Sequence, residues 1–140
     1  MTSYYLNTDL CLVSRADLTP LVESVKSRVE LLHFGKHGRK WFASFEATGS
    51  GQPGKRKPLE DISRLLKVCD SLKGKSDMLL KGCLSREMNV GWQAAEQRPE
   101  GSFQLDEGIL LRMAELKIGL AVTVYPSNEN DISDFKRSGK

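Results

Sequence analysis

Residues 105–126 read Leu-Asp-Glu-Gly-Ile-Leu-Leu-Arg-Met-Ala-Glu-Leu-Lys-Ile-Gly-Leu-Ala-Val-Thr-Val-Tyr-Pro, and their hydrophobic period changes partway from helical to extended. The first part carries apolar side chains at helical spacing, at Leu105, Ile109, Leu110, Met113 and Leu116. In the second part apolar residues alternate with others, with Leu120, Val122 and Val124 on one side and Ala121, Thr123 and Tyr125 on the other. The stretch therefore predicts an amphipathic helix, capped by Asp106, that leads directly into a half-buried strand.

Similar patterns predict the remaining elements. Alternating or β-branched and aromatic residues predict strands at 4–13, 29–34, 40–47 and 86–96, with a glycine turn at 35–38 between the second and third. Helices are predicted from Thr19, as N-cap, to about residue 27, and from Leu59 to an end at Gly74. Residues 76–83 add a further turn or two, with Met78 and Leu79 facing inward.

The resulting order, β-α-β-β-α-β-α-β, predicts an α+β fold. Right-handed crossovers place the helices on one face of a mostly antiparallel sheet of about five strands, which gives a two-layer sandwich. The first six elements resemble the split β-α-β arrangement of ferredoxin-like folds. The other sheet face is then covered by a partner, covered by loops, or left polar.

Size and composition predict one domain over residues 4–126, followed by a polar, mobile tail over residues 127–140. No apolar run approaches the roughly 20 residues that cross a bilayer. The first residues lack the pattern of a secretory signal. We therefore expect a cytoplasmic protein that makes no membrane contact.

The residues that carry chemistry are sparse. The three cysteines, an odd number without short paired spacing, are predicted to be free, buried thiols. His33 and His37 have no further ligands at metal-site spacing, and Cys11 with His33 is a weak candidate for a catalytic pair. The acidic pairs at 60–61 and 106–107 are explained by helix dipoles. We therefore expect no metal, no cofactor and no enzymatic activity.

Three further features are the order of elements, a Gly-x-x-Trp step at residues 38–41, and the ending Leu-Lys-Ile-Gly-Leu-Ala-Val-Thr-Val-Tyr at residues 116–125. Together they resemble a bacterial family catalogued as domain of unknown function four-two-seven-nine. The likeness runs over about residues 5–126. Some relatives look like immunity proteins of bacterial toxin systems, so the resemblance implies a binding module. With no reactive constellation and an uncovered sheet face, our main hypothesis is a small non-catalytic module that binds another protein.

The alternative hypothesis is phosphate or nucleic-acid binding. Residues 49–56, Gly-Ser-Gly-Gln-Pro-Gly-Lys-Arg, have the spacing of a P-loop, but Arg56 stands where a Ser or Thr would hold Mg²⁺. Basic residues with nearby aromatics also suit single-stranded nucleic acid, through the loop Gly49–Lys57 and the hairpin at 36–41. Trp92 is a core residue, or a partner contact if it faces the open side of the sheet. The candidate binding residues are Lys36, Arg39, Lys40, Trp41, Lys55, Arg56, Lys57 and Trp92.

Overall fold

The computed structural model describes residues 4–48, 57–94 and 102–126, which form five strands and four helices. In chain order these are β1 (Tyr4–Ser14), α1 (Thr19–Val25), β2 (Val29–His37), β3 (Lys40–Ala47), α2 (Pro58–Asp70), α3 (Gly74–Lys81), β4 (Ser85–Gln93), α4 (Glu107–Glu115) and β5 (Gly119–Tyr125). The α+β class is confirmed. Within the described ranges, every helix is too short or too polar to cross a membrane.

The five described strands form one sheet, in the order β2-β3-β1-β4-β5. The pairs β2/β3, β3/β1 and β1/β4 are antiparallel, whereas β4 and β5 are parallel and are joined through α4. The sheet is therefore mixed, with β1 at its centre and with β2 and β5 as its edges.

The core lies between one face of this sheet and the helices. On β1, Leu10 lies opposite Phe45 of β3 and Met88 of β4, and all three side chains are buried. Helix α2 covers them with its own buried stripe, which includes Ile62 and Leu65. We call this side of the sheet the helix face and the other side the open face.

Helix α4 begins and ends with well-defined caps. Asp106 is the N-cap, as predicted, and its carboxylate accepts the Ile109 N–H at 2.8 Å. At the other end Lys117 has φ 55°, a left-handed conformation that usually favours glycine. The N–H groups of Lys117 and Ile118 donate to the carbonyls of Ala114 and Met113, which forms a Schellman motif. This motif turns the chain from α4 into β5 without an intervening loop.

Several local predictions were wrong. Leu18, not Thr19, is the N-cap of α1, and the Asp17 carboxylate accepts the Thr19 N–H instead. Gly74 does not end α2 but begins α3, with φ 56°. These errors share a cause, because a capping residue type marks a helix boundary without saying which neighbour occupies which capping position.

Errors of burial have another origin. In α3 it is Leu80 that is buried, whereas Met78 is exposed and Leu79 is half-buried. In α4 Leu110 is exposed, although it belongs to the predicted apolar stripe. The side of α4 that packs against the protein is narrower than the apolar pattern suggests, because α4 packs beside α2. An ion pair between Arg112 of α4 and Asp70 of α2 adds to this contact. The predicted tail at 127–140 lies outside the described residues.

We expect Lys117→Gly to stabilise the protein by about 1 kcal/mol, because a left-handed conformation costs a residue with a Cβ roughly that much. The free energy of unfolding in urea measures the change. Lys81→Gly, near the end of α3, is the control and should destabilise by a similar amount, since glycine is a poor residue within a helix. A destabilising Lys117→Gly would contradict the assigned Schellman motif.

Candidate functional site

The open face carries no covering element among the described residues, and it is polar, which was one of the three predicted alternatives. Sheet register places its central side chains in two neighbouring rows that cross the strands. One row consists of Glu30, Glu46, Asp9, Asn89 and Ala121, and the next of His33, Ser44, Cys11 and Glu87. Four carboxylates therefore lie close together on a face that none of the helices in the described ranges covers.

An asparagine organises the centre of the first row. The Asn7 amide nitrogen donates to Asp9 Oδ1 at 3.0 Å and to Glu46 Oε2 at 3.1 Å. Gly91 makes this possible, because a Cβ at that position would come within 2.7 Å of Asn7 Oδ1. A single amide group thus bridges two carboxylates that face each other across β1 and β3.

Cys11 lies half-buried beside this acidic row. Burial, together with the negative charges of Asp9 and Glu87, raises the pKa of its thiol to about 11. At neutral pH the group is therefore a neutral thiol, and the thiolate is the nucleophilic form. Ser44 lies between Cys11 and His33 in the register, so the two are two strand spacings apart, about 10 Å. The Cys11–His33 pair considered from the sequence is not brought together.

All three cysteines are free, as predicted. Cys69 and Cys83 are buried, whereas Cys11 is only half-buried, so the prediction of buried thiols holds for two of the three. Burial raises the pKa of Cys69 to about 12. These thiols fill space in the core rather than form an activated site.

The two histidines form a pair at the hairpin. Their Nε2 atoms are 3.1 Å apart, and their rings stack with centroids 5.2 Å apart. Two nitrogen atoms are fewer than the three or four ligands that zinc usually requires. In the parts of the chain that the structure describes, no three His, Cys, Asp or Glu side chains converge as metal ligands would.

Sequence reasoning missed a buried carboxylate. Asp61 had been explained by the dipole of α2, but its side chain is buried, and its Oδ2 accepts the Tyr5 hydroxyl at 2.5 Å. The same hydroxyl lies 2.7 Å from Thr8 Oγ1. These groups join α2 to β1 within the core. The bulge in β1 between residues 5 and 7 could not be foreseen from alternation, and Tyr5 lies directly beside it.

The basic candidates are divided between two places. Lys36, Arg39 and Lys40 are exposed at the turn between β2 and β3. Lys57 is exposed at the start of α2, beyond the far end of β3. An eight-residue strand separates these places, about 25 Å. Lys55 and Arg56, with the whole P-loop-like segment at 49–56, lie outside the described residues.

Both tryptophans lie on the helix face rather than the open face. Trp41 stacks on Phe34 and Trp92 stacks on Phe103, each with ring centroids 5.8 Å apart. Both are half-buried and pack against the core. Trp92 was predicted to contact a partner only if it faced the open side of the sheet, and it does not.

A groove of about 290 Å³ lies on the helix side, lined by Leu80, Lys81, Arg86, Glu115, Leu116 and Lys117. Its central cation, Arg86, is already engaged by backbone oxygens. Its Nη1 donates to the carbonyls of Leu80 and Cys83 at 2.9 Å each, and its Nε donates to that of Lys117 at 3.2 Å. Through these hydrogen bonds Arg86, a residue of β4, links its strand to α3 and to the turn that leads into β5.

The second feature that the sequence did not reveal is an exposed apolar row on β5. We call Leu120, Val122 and Val124 the apolar edge; they are 43%, 49% and 60% exposed. Two of their partners in β4, Met88 and Val90, are fully buried, and the third, Trp92, is half-buried. Alternation correctly placed the three on one side of a strand, but it does not show whether a helix covers that side.

Comparison with protein-family models, with curated proteins and with solved structures gives no match for this chain. The geometry of the molecule is therefore the basis for any functional proposal.

We expect Tyr5→Phe to lower the free energy of unfolding by about 1–3 kcal/mol, because it removes a donor from a buried carboxylate. Urea denaturation followed by circular dichroism measures the loss. Tyr4→Phe, at the neighbouring half-buried position, is the matched control and should change stability by less than about 0.5 kcal/mol. Equal effects of the two substitutions would show that the Tyr5–Asp61 hydrogen bond contributes nothing specific.

We expect Cys11 in the folded protein to react with iodoacetamide at pH 7.5 roughly 100-fold more slowly than a peptide thiol, because its raised pKa leaves little thiolate. The rate should rise with pH, about tenfold per unit, up to a pH near 10. Peptide mapping by mass spectrometry follows the modified residue. Glu87→Gln should accelerate the reaction by removing one of the charges that raise the pKa. A rate that is fast at pH 7 and flat above it would show that Cys11 is an activated nucleophile.

Proposed function

We propose that this protein is a non-catalytic binding module of the immunity type, and that it contacts another protein through the open face of its sheet. The observation that supports the proposal best is the open face itself, an array of half-buried and exposed polar side chains that the described elements leave uncovered. Its carboxylates favour a partner whose contacting surface is basic.

The arrangement of charges supports a binding role. Glu30 and Glu87 are exposed on the open face, and Asp9 and Glu46 lie between them in the order of the strands. A group of carboxylates on one surface attracts a partner surface of the opposite charge.

The chemistry of the face supports a module without catalysis. Cys11, the residue there with the greatest potential as a nucleophile, has its pKa raised rather than lowered. His33 lies two strands away from it, so the register does not bring a base to this thiol.

We also propose the ferredoxin-like relationship and membership of the family four-two-seven-nine, on the strength of the sequence resemblance and of the sheet order. In that order β3 lies between β1 and β2, which is a split β-α-β unit. A cytoplasmic location remains part of the same proposal.

Phosphate or nucleic-acid binding is the weaker proposal. Its support is the exposed group Lys36, Arg39 and Lys40 at one hairpin turn. Trp41, the aromatic residue next to this group, stacks on Phe34 on the helix face, so it is engaged within the protein rather than presented to a base.

Charge reversal on the open face tests the main proposal. The tagged protein and a Glu30→Lys/Glu87→Lys variant would each be used to capture partners from an extract of the source cell and from co-expressed products of neighbouring genes. We expect the variant to bind the captured protein at least about tenfold more weakly, because both exposed carboxylates face it. Binding is measured by calorimetry or biolayer interferometry at two salt concentrations.

A second double variant, Glu23→Lys/Glu115→Lys, changes net charge by the same amount on exposed helical positions of α1 and α4 and is the matched control. It should bind as the unmodified protein does. Equal weakening by both variants would show that net charge, not the open face, governs binding. A partner that binds the open-face variant at full strength would contradict the proposal.

A further inference from the structure

The two edge strands of the sheet differ in the features that normally prevent edge-to-edge pairing. β2 contains Glu30, Lys36 and two histidines and is interrupted by a bulge between Leu31 and His33. Charges and bulges of this kind discourage pairing at an edge. β5, Gly-Leu-Ala-Val-Thr-Val-Tyr, has no charge and no proline, and it pairs with β4 in unbroken register. One edge is protected and the other is suited to accept a further strand.

The backbone of β5 presents hydrogen-bonding groups outward at alternate residues. The carbonyl of Tyr125 accepts the Ala94 N–H at 3.0 Å, so the backbone N–H and C=O groups of Tyr125 are directed toward β4. Because the two sides of a strand alternate, Gly119, Ala121 and Thr123 share that direction. The N–H and C=O groups of the apolar edge, Leu120, Val122 and Val124, are therefore directed away from β4. Among the described residues no strand lies on that side.

The side chains of β5 are complementary to those of the same strand reversed. In an antiparallel pair centred on Val122, Leu120 lies opposite Val124 of the partner subunit, and Val122 lies opposite itself. On the other face Ala121 lies opposite Thr123 of the partner subunit. The small Gly119 lies opposite the large Tyr125 of the partner subunit, a combination in which the aromatic ring covers the glycine. No like charges meet, because the strand has none.

We propose that two copies of this chain associate by antiparallel pairing of their β5 strands about a two-fold axis at Val122. The seam is the line along which the two β5 strands meet. There the residues whose backbone groups face outward form the hydrogen-bonded pairs, and each residue of a pair donates its N–H to the carbonyl of the other. The apolar edge, which is about half-exposed in one chain, packs against its counterpart on the helix face. The two sheets become one continuous sheet, and both copies keep their open faces available.

A second copy is the occupant that fits these features best. The register above needs no charge from the partner, and it pairs each outward N–H of the apolar edge with an outward carbonyl of the second copy. The seam is one strand wide, so its buried area lies below the roughly 1,200 Å² of stable complexes. We therefore expect a dimer that dissociates in the micromolar range.

Sedimentation equilibrium of the full chain between about 1 and 200 μM tests the proposal, with expected micromolar dimer dissociation. Leu120→Glu should weaken the dimer at least about tenfold, because it places a carboxylate against an apolar side chain twice in the seam. Leu31→Glu is the matched control, since Leu31 lies on the helix face of the opposite edge strand with 41% exposure against 43% for Leu120. It should leave the dimer unchanged. Circular dichroism and thermal melting check that each variant folds.

A charge pair tests the register. In Leu120→Glu/Val124→Lys each new carboxylate lies opposite a lysine of the other copy, so dimerisation should recover to within a few-fold of the unmodified protein. Within one chain the two positions are four residues apart along the strand, about 13 Å, and cannot compensate each other. An unmodified chain that is monomeric at 200 μM, loss of the dimer in Leu31→Glu, or no recovery in the double variant would each overturn the proposal.

Discussion

Burial of the apolar side chains on one face of β1 is the interaction on which the rest of the structure depends. β1 is the central strand, and its Leu10 is fully buried between β3, β4 and α2. Burying one such side chain contributes about 1.5–3 kcal/mol, so the central row is a large part of the net stability of a small domain. Because the four helices of the described residues lie on that one side, the other face is left to polar residues. The polar character of the open face is thus a direct result of one-sided packing.

The same constraint explains the contrast between the edges of the sheet. Helix α2 lies over β1 and β3, and α4 packs beside α2. The helical layer therefore covers the middle of the sheet more completely than it covers β5, whose apolar side chains are left exposed among the described residues. A Schellman motif then directs the chain from α4 straight into this strand. The apolar edge is exposed because of where the helices lie, although its composition is that of a core strand.

Local pattern predicted the α+β class, the strands and the Asp106 cap, because periodicity and capping are properties of neighbouring residues. It did not predict which side chains of an element are buried by other elements, because those elements come from distant parts of the chain. Leu110, Met78 and the apolar edge are examples. For the same reason Asp61 was explained by its own helix, whereas its hydroxyl partner comes from β1. The candidate site shows the same limit. Lys36, Arg39 and Lys40 do lie together, but the register that assembles Glu30, Glu46 and Asp9 in one row is set by strand pairing across the chain.

The central position of β1 also has a consequence for biosynthesis. β1 and one of its neighbours, β3 (Lys40–Ala47), are close in the chain, but its other neighbour, β4, is the strand Ser85–Gln93. On the ribosome the first three strands leave the exit tunnel well before that partner does. During this interval one side of β1 has unpaired backbone groups, and Leu10 lacks Met88 beside it. Such contacts between distant segments form slowly, so the nascent chain passes through a stage in which chaperone binding or premature association competes with completion of the sheet.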